Sequence, residues 1–152
     1  MTIEEQARED EAFMRKAISE AKRAETEGEV PIGAVVVCEG RIVARAHNLT
    51  ETLHDVTAHA EMQAITSASN ALGGKYLHNC TIYITVEPCL MCASALFWSQ
   101  ISRIVYGADD PKRGFSRYAS SIIHPKTTLV GGVLSKECSC LVTDFFRTRR
   151  ST

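Results

Sequence analysis

The stretch "TVEPCLMCASALFWSQ", residues 85–100, sets two cysteines three apart, directly behind a proline and inside an apolar run. It overlaps "CTIYITV", residues 80–86, whose β-branched and aromatic content predicts a strand. Pro88 suits the first turn of a following helix, running through Cys89 to about Gln100. On that helix Cys89 and Cys92 share one face. The positive helix N-terminus favours their thiolates. The pair alone leaves metal binding, redox chemistry and simple packing open, because all three use such a pair.

Working outward, "RIVYG" at 103–107 predicts a further short strand, so a strand-helix-strand pass surrounds the cysteines. Upstream, apolar residues at helical spacing (Phe13, Ala17, Ala21, Ala24) predict a helix from about Glu9 to Glu27, ended by Gly28. "PIGAVVVC", Glu39-Gly40 and "RIVARAHN" read as a β-hairpin. A polar loop at 49–56 follows, and Thr57 is placed to cap a helix that ends before Gly73-Gly74. Residues 107–127 read as loop, "TTLVGGV" as a poorly defined fifth strand, and Ser135 as the cap of a last helix. The expected fold is α/β. It is a three-layer α/β/α sandwich around a mixed five-stranded sheet, in a single domain over 1–152.

The chain has 152 residues, 45% hydrophobic and 23% charged, an ordinary globular balance. Its start is acidic and polar, and no run approaches a membrane span. The expectation is a soluble cytoplasmic protein with no membrane partner. Its six cysteines are then thiols or metal ligands, not structural disulfides. Net charge is −1 but uneven: residues 1–29 hold five basic and nine acidic side chains, residues 103–152 nine and four. Two solvated faces would account for this, and so would a polyanion footprint near the C-terminus.

"TAHAEMQ", residues 57–63, narrows the choice for the cysteines. It puts His59 and Glu61 at the start of another helix that also follows a strand. One imidazole and two thiolates make three ligands for Zn²⁺, leaving the fourth position to water as catalytic zinc does. Glu61, two residues past His59, suits a proton shuttle beside that water. By itself it would be an ordinary first-turn glutamate facing the helix dipole. His-x-Glu followed by Pro-Cys-x-x-Cys resembles the signature of the zinc-dependent base deaminases.

The resemblance goes further. "AKRAETEGEVPIGAVVV", "HN" ahead of "TAHAE", "TIYITVEPCLMCASAL", "RIVYGADDPK" and "ECSCLVTDFFRTRR" together resemble the bacterial tRNA adenosine deaminases of the cytidine/deoxycytidylate deaminase superfamily. That resemblance covers nearly the whole chain. It implies a cytidine-deaminase-like fold, one Zn²⁺ per subunit, a homodimer, and conversion of the wobble adenosine of a tRNA anticodon stem-loop to inosine. It implies His59, Cys89 and Cys92 as zinc ligands and Glu61 as the catalytic shuttle. It implies Asn48 on the flipped base or ribose, Asp110 on the anticodon loop, and Phe145, Phe146, Arg147, Arg149 and Arg150 at the RNA-contacting end of the last helix. One phenylalanine of that pair is expected in the core.

The chain departs from many members between Lys112 and Gly131, where a shorter "RGFSRYASSIIHPKTTLV" replaces a Gly-Ser-Leu-rich stretch. Phe97-Trp98 is also bulkier, and Trp98 is expected in the core or at a dimer interface. Two other functions compete. One is deamination of a free nucleobase or nucleoside (guanine, cytosine or adenosine), which needs no basic RNA surface. The other is a structural zinc module, which would need a fourth protein ligand from His47, His54 or Cys38.

Overall fold

A computed structural model describes residues 1–150, the last of them without its side chain. Helix α1 (Ile3–Thr26) opens six residues earlier than apolar spacing suggests. The reason is a capping box: Thr2 Oγ1 accepts from the Glu5 N–H (3.1 Å), and the Glu5 carboxylate accepts from the Thr2 N–H. Ile3 is exposed, so periodicity carried no signal there.

Strands β1 (Gly33–Cys38) and β2 (Arg41–His47) form the expected hairpin, turning on Glu39 and Gly40, both at positive φ. Then come α2 (Ala60–Leu72), β3 (Cys80–Val86), α3 (Leu90–Ser99), β4 (Arg103–Ala108), the short β5 (Thr128–Val130) and α4 (Ser135–Arg150). Ser135 is the first residue of its helix, not the cap before it. The loop expected at 107–127 contains two 3₁₀ turns, Phe115–Arg117 and Ser120–Ile122. Phe115 is buried there.

The sheet order is β2-β1-β3-β4-β5. β1 runs antiparallel to β2 and β3, while β3, β4 and β5 are parallel. Side-chain alternation divides the core. Ala34, Val36, Ile82, Ile84 and Ile104 meet the alanines of α2 and Leu96 of α3 on one face. Val35, Val37, Tyr83 and Val105 meet Met14, Ala17 and Ile18 of α1 and Cys138 of α4 on the other. Gly33 lets α1 lie close: a Cβ there would sit 2.1 Å from the Ala17 carbonyl oxygen. This is the expected three-layer α/β/α arrangement.

Topology then fixes where chemistry can occur. β2, β3 and β4 all point the same way, since β1 is antiparallel to both β2 and β3. Their C-terminal ends lie at one end of the sheet. The chain leaving β2 there reaches α2, the chain leaving β3 reaches α3, and the chain leaving β4 enters the 109–116 loop.

Candidate active site

His59 and Cys89 are the N-cap residues of α2 and α3, both in extended backbone conformation. This corrects two expectations. Thr57 does not cap α2, because its N–H and hydroxyl donate to the Asp55 carboxylate at 2.8 and 2.7 Å in a local turn. Pro88 precedes the N-cap of α3 instead of opening its first turn. Neither His59 nor Cys89 makes a side-chain cap hydrogen bond. Their side chains turn toward each other instead.

His59 Nδ1 lies 3.6 Å from Cys89 Sγ and 3.5 Å from Cys92 Sγ. A tetrahedral zinc with Zn–N near 2.0 Å and Zn–S near 2.3 Å separates neighbouring nitrogen and sulfur by roughly 3.5 Å. The donor set and its spacing therefore fit the metal. Among the described residues, His47, His54 and Cys38 do not join this cluster, so it offers three protein ligands. His47 is engaged elsewhere, between Glu20 and Glu27. A three-ligand site has the open position of a catalytic centre, not the closed shell of a structural one.

Among the three acids here, the electrostatics favour the anionic form of Cys89 alone. The hydrogen bond from the Cys92 thiol, outweighing burial and aided by His59, lowers Cys89 to about 4. The same contact with Cys89, with burial, raises Cys92. The hydrogen bond to Cys89 raises His59. Glu61, in the first turn of α2, is buried beside the cluster. Burial pushes it up to about 7. A dication on the three ligands would reverse part of that rise.

These groups open onto a cleft of about 910 Å³. Asn48, Asp110, Phe146 and Arg149 line it, together with Lys112 and Arg113. Asn48 is buried, and its side-chain oxygen accepts from the Thr50 N–H at 3.3 Å. The Asp110 carboxylate accepts from the N–H groups of Lys112 and Arg113, both at 3.0 Å, and so shapes its own turn. Phe146 is 44% exposed, while Phe145 is buried edge-on against it, which makes Phe145 the core member of the pair. Arg149 stacks over the Phe145 ring and donates to the Gly28 carbonyl at 3.0 Å. Arg147 pairs with Asp144 at 2.8 Å and is not among the cleft-lining residues. The Arg150 side chain lies outside the described part of the chain.

Two residues that the sequence reading passed over organise this cleft. Glu29, fully buried, accepts from the N–H groups of Glu51 and Thr52 and from the Thr52 hydroxyl. Burial alone would raise its carboxyl, but those bonds overcome it and hold the group below its ordinary value. Glu87, also buried, does the same work for the 110–116 loop. The available signal was a glutamate close before a proline beside an apolar run: "EVP" at 29–31 and "VEP" at 86–88.

A family model for the cytidine and deoxycytidylate deaminase zinc-binding region matches residues 7–108. A tRNA-specific adenosine deaminase of Bacillus subtilis (strain 168) is 47% identical over 146 residues, spanning 93% of this chain and 91% of that one. The chain belongs to the tRNA-specific adenosine deaminases within that family. Another tRNA-specific adenosine deaminase, from Aquifex aeolicus (strain VF5), is 51% identical over 68% of this chain and 69% of its own length. A solved structure from studies of A-to-I editing by tRNA:A34 deaminases superposes with a TM-score of 0.79 at 40% identity. It covers 86% of this chain and 98% of its own. The deaminase fold here thus follows the cytidine-deaminase-like pattern that the sequence led us to expect. Among the described residues, no helix of this deaminase is long and apolar enough to cross a membrane.

Proposed function

We propose that this protein hydrolyses the wobble adenosine of a tRNA anticodon stem-loop to inosine, releasing ammonia. The observation that carries the reading is a buried glutamate, Glu61, set against a three-ligand His59–Cys89–Cys92 cluster at the floor of a cleft. His59, Cys89 and Cys92 would hold one Zn²⁺ per subunit. Zinc, when bound there, makes a water more acidic and a better nucleophile. Glu61 takes a proton from that water and delivers it to the departing nitrogen, so that oxygen replaces nitrogen on the ring and ammonia leaves. Asn48, its side-chain oxygen already engaged by Thr50, offers its amide NH₂ to the flipped base or its ribose.

RNA as substrate is supported by the rim. Lys112, Arg113 and Arg149 bring positive charge, and Phe146 presents an exposed ring on which an unstacked base can lie. Asp110 would meet the anticodon loop through the turn it shapes. Arg147 would extend the phosphate contacts along α4. A tRNA substrate supports action in the cytoplasm.

We also infer a homodimer through the α2–α3 layer. Trp98 is 75% exposed, packed edge-on to Phe97, and borders a shallow groove with Ile65, Tyr76 and Ala95. That exposure rules out the core role for Trp98 and favours the interface role.

The test is an inosine assay on purified protein with its metal counted. The substrates are an anticodon stem-loop carrying wobble adenosine and, in parallel, free adenosine, guanine and cytosine. Inosine at the wobble position, with the small substrates inert, is the expected result. Turnover of a free base with the stem-loop untouched would replace this reading with nucleobase deamination. Sedimentation of Trp98→Ser should show monomer where the native chain shows dimer.

A further inference from the structure

Glu87 lies between the end of β3 and the ligand Cys89. Its carboxylate is buried, and its three hydrogen-bond donors all come from the loop after β4. Oε1 accepts from the Asp110 N–H at 3.1 Å. Oε2 accepts from the Ser116 N–H at 3.1 Å and the Ser116 hydroxyl at 2.6 Å. One carboxylate therefore ties down both ends of the 110–116 loop. Around it the backbone is stitched as well. The Glu87 N–H donates to Ala108 (2.8 Å), the Phe115 N–H donates to Pro88 (3.0 Å), and Cys89 bridges Gly114.

Gly114 completes the arrangement. Its backbone angles are ordinary, φ −59° and ψ 142°, so glycine is not needed for conformation. It is needed for space. A Cβ there would stand 2.3 Å from the Glu87 carboxylate, which its three bonds hold in place. The cleft face of this loop carries Asp110, Lys112 and Arg113.

We propose that Glu87 is a positioning residue that fixes the substrate-facing loop 110–116 in register with the metal-ligand turn at Cys89, and so sets how RNA is gripped. The proposal rests on the reading of the protein as an RNA-acting deaminase. Gln in place of Glu keeps an acceptor for one end of the loop but turns an NH₂ toward the donors at the other. Ala releases both ends.

The experiment pairs steady-state kinetics on the wobble-adenosine stem-loop with zinc content and amide hydrogen exchange of the free protein. Glu87→Ala should raise KM about tenfold and change kcat less than about threefold, with zinc retained. Glu87→Gln should fall between, and it serves if the alanine variant folds poorly. Amides of Asp110 and Ser116 should exchange faster in both. Gly114→Ala should reproduce the KM rise in the native background and add little to Glu87→Ala, because the methyl then has room. An unchanged KM, or a loss of kcat that tracks loss of zinc, would overturn the proposal, as would native exchange at the two amides. If the native protein makes no inosine, the RNA reading fails, while the exchange data still decide whether Glu87 holds the loop.

Discussion

Asp10 and Glu61 are both buried carboxylates, one on each side of the same sheet, and their surroundings could hardly differ more. Asp10, on α1, meets Arg103 through two bonds of 3.0 and 2.9 Å and accepts from the Tyr83 hydroxyl at 2.8 Å and the Gln6 amide at 3.0 Å. Burial would raise its carboxyl, but Arg103, Tyr83 and Gln6 outweigh it and hold the group below its ordinary value. For Glu61 burial prevails and pushes the carboxyl up to about 7. Burial of an acid thus says little by itself. A buried acid fully supplied with donors and a cation holds structure, and one left short of them is available to move a proton.

Glu61→Gln should break the contrast most sharply. Deamination should fall by about 10²–10⁴-fold with metal content and thermal stability kept. Retained turnover would remove Glu61 from the chemistry. Asp10→Ala should do the reverse, costing about 3 kcal/mol in urea unfolding because it strands the Arg103 guanidinium, with kcat of the folded fraction unchanged. Equal damage to activity and stability by both variants would end the distinction.

Acid titration sharpens it further. The folded Asp10 carboxyl sits below its ordinary 3.8, so its contribution is complete above that value and is lost as pH falls through the lower folded value. Unfolding midpoints followed downward from pH 5 should therefore decline more steeply for the native chain than for Asp10→Asn. The smallest effect is expected from Tyr83→Phe, which removes one of Asp10's donors. About 1 kcal/mol of stability should go, with no change in turnover; a larger loss would mean that Tyr83 carries more of the network than its single bond suggests.

The candidate ligands were legible because their chemistry is written in residue type and short spacing. His59, Cys89 and Cys92 form no ordinary core pattern, and strand-to-helix junctions on both sides place them at helix starts. The helix boundaries were less legible. Thr57 looked like a cap, yet its hydroxyl serves Asp55, and the true N-cap positions went to His59 and Cys89. At α1 the sequence held a capping box that apolar periodicity ignored. Phe145 and Phe146 are adjacent and alike, and only packing separates the buried ring from the one at the cleft.

By itself, the sequence determined the α/β class and the five strands and singled out the three side chains of the candidate metal cluster, because hydrophobic period and ligand chemistry are local properties. Tertiary structure decided the rest. The antiparallel β1 between β2 and β3 brings two helix starts 30 residues apart in sequence to within a metal's reach. The same fold buries Glu29 and Glu87 beneath loops distant in the chain. Neither carboxylate announces its role locally, since a glutamate before an X-Pro or a Pro is commonplace until the donors that surround it have been brought together.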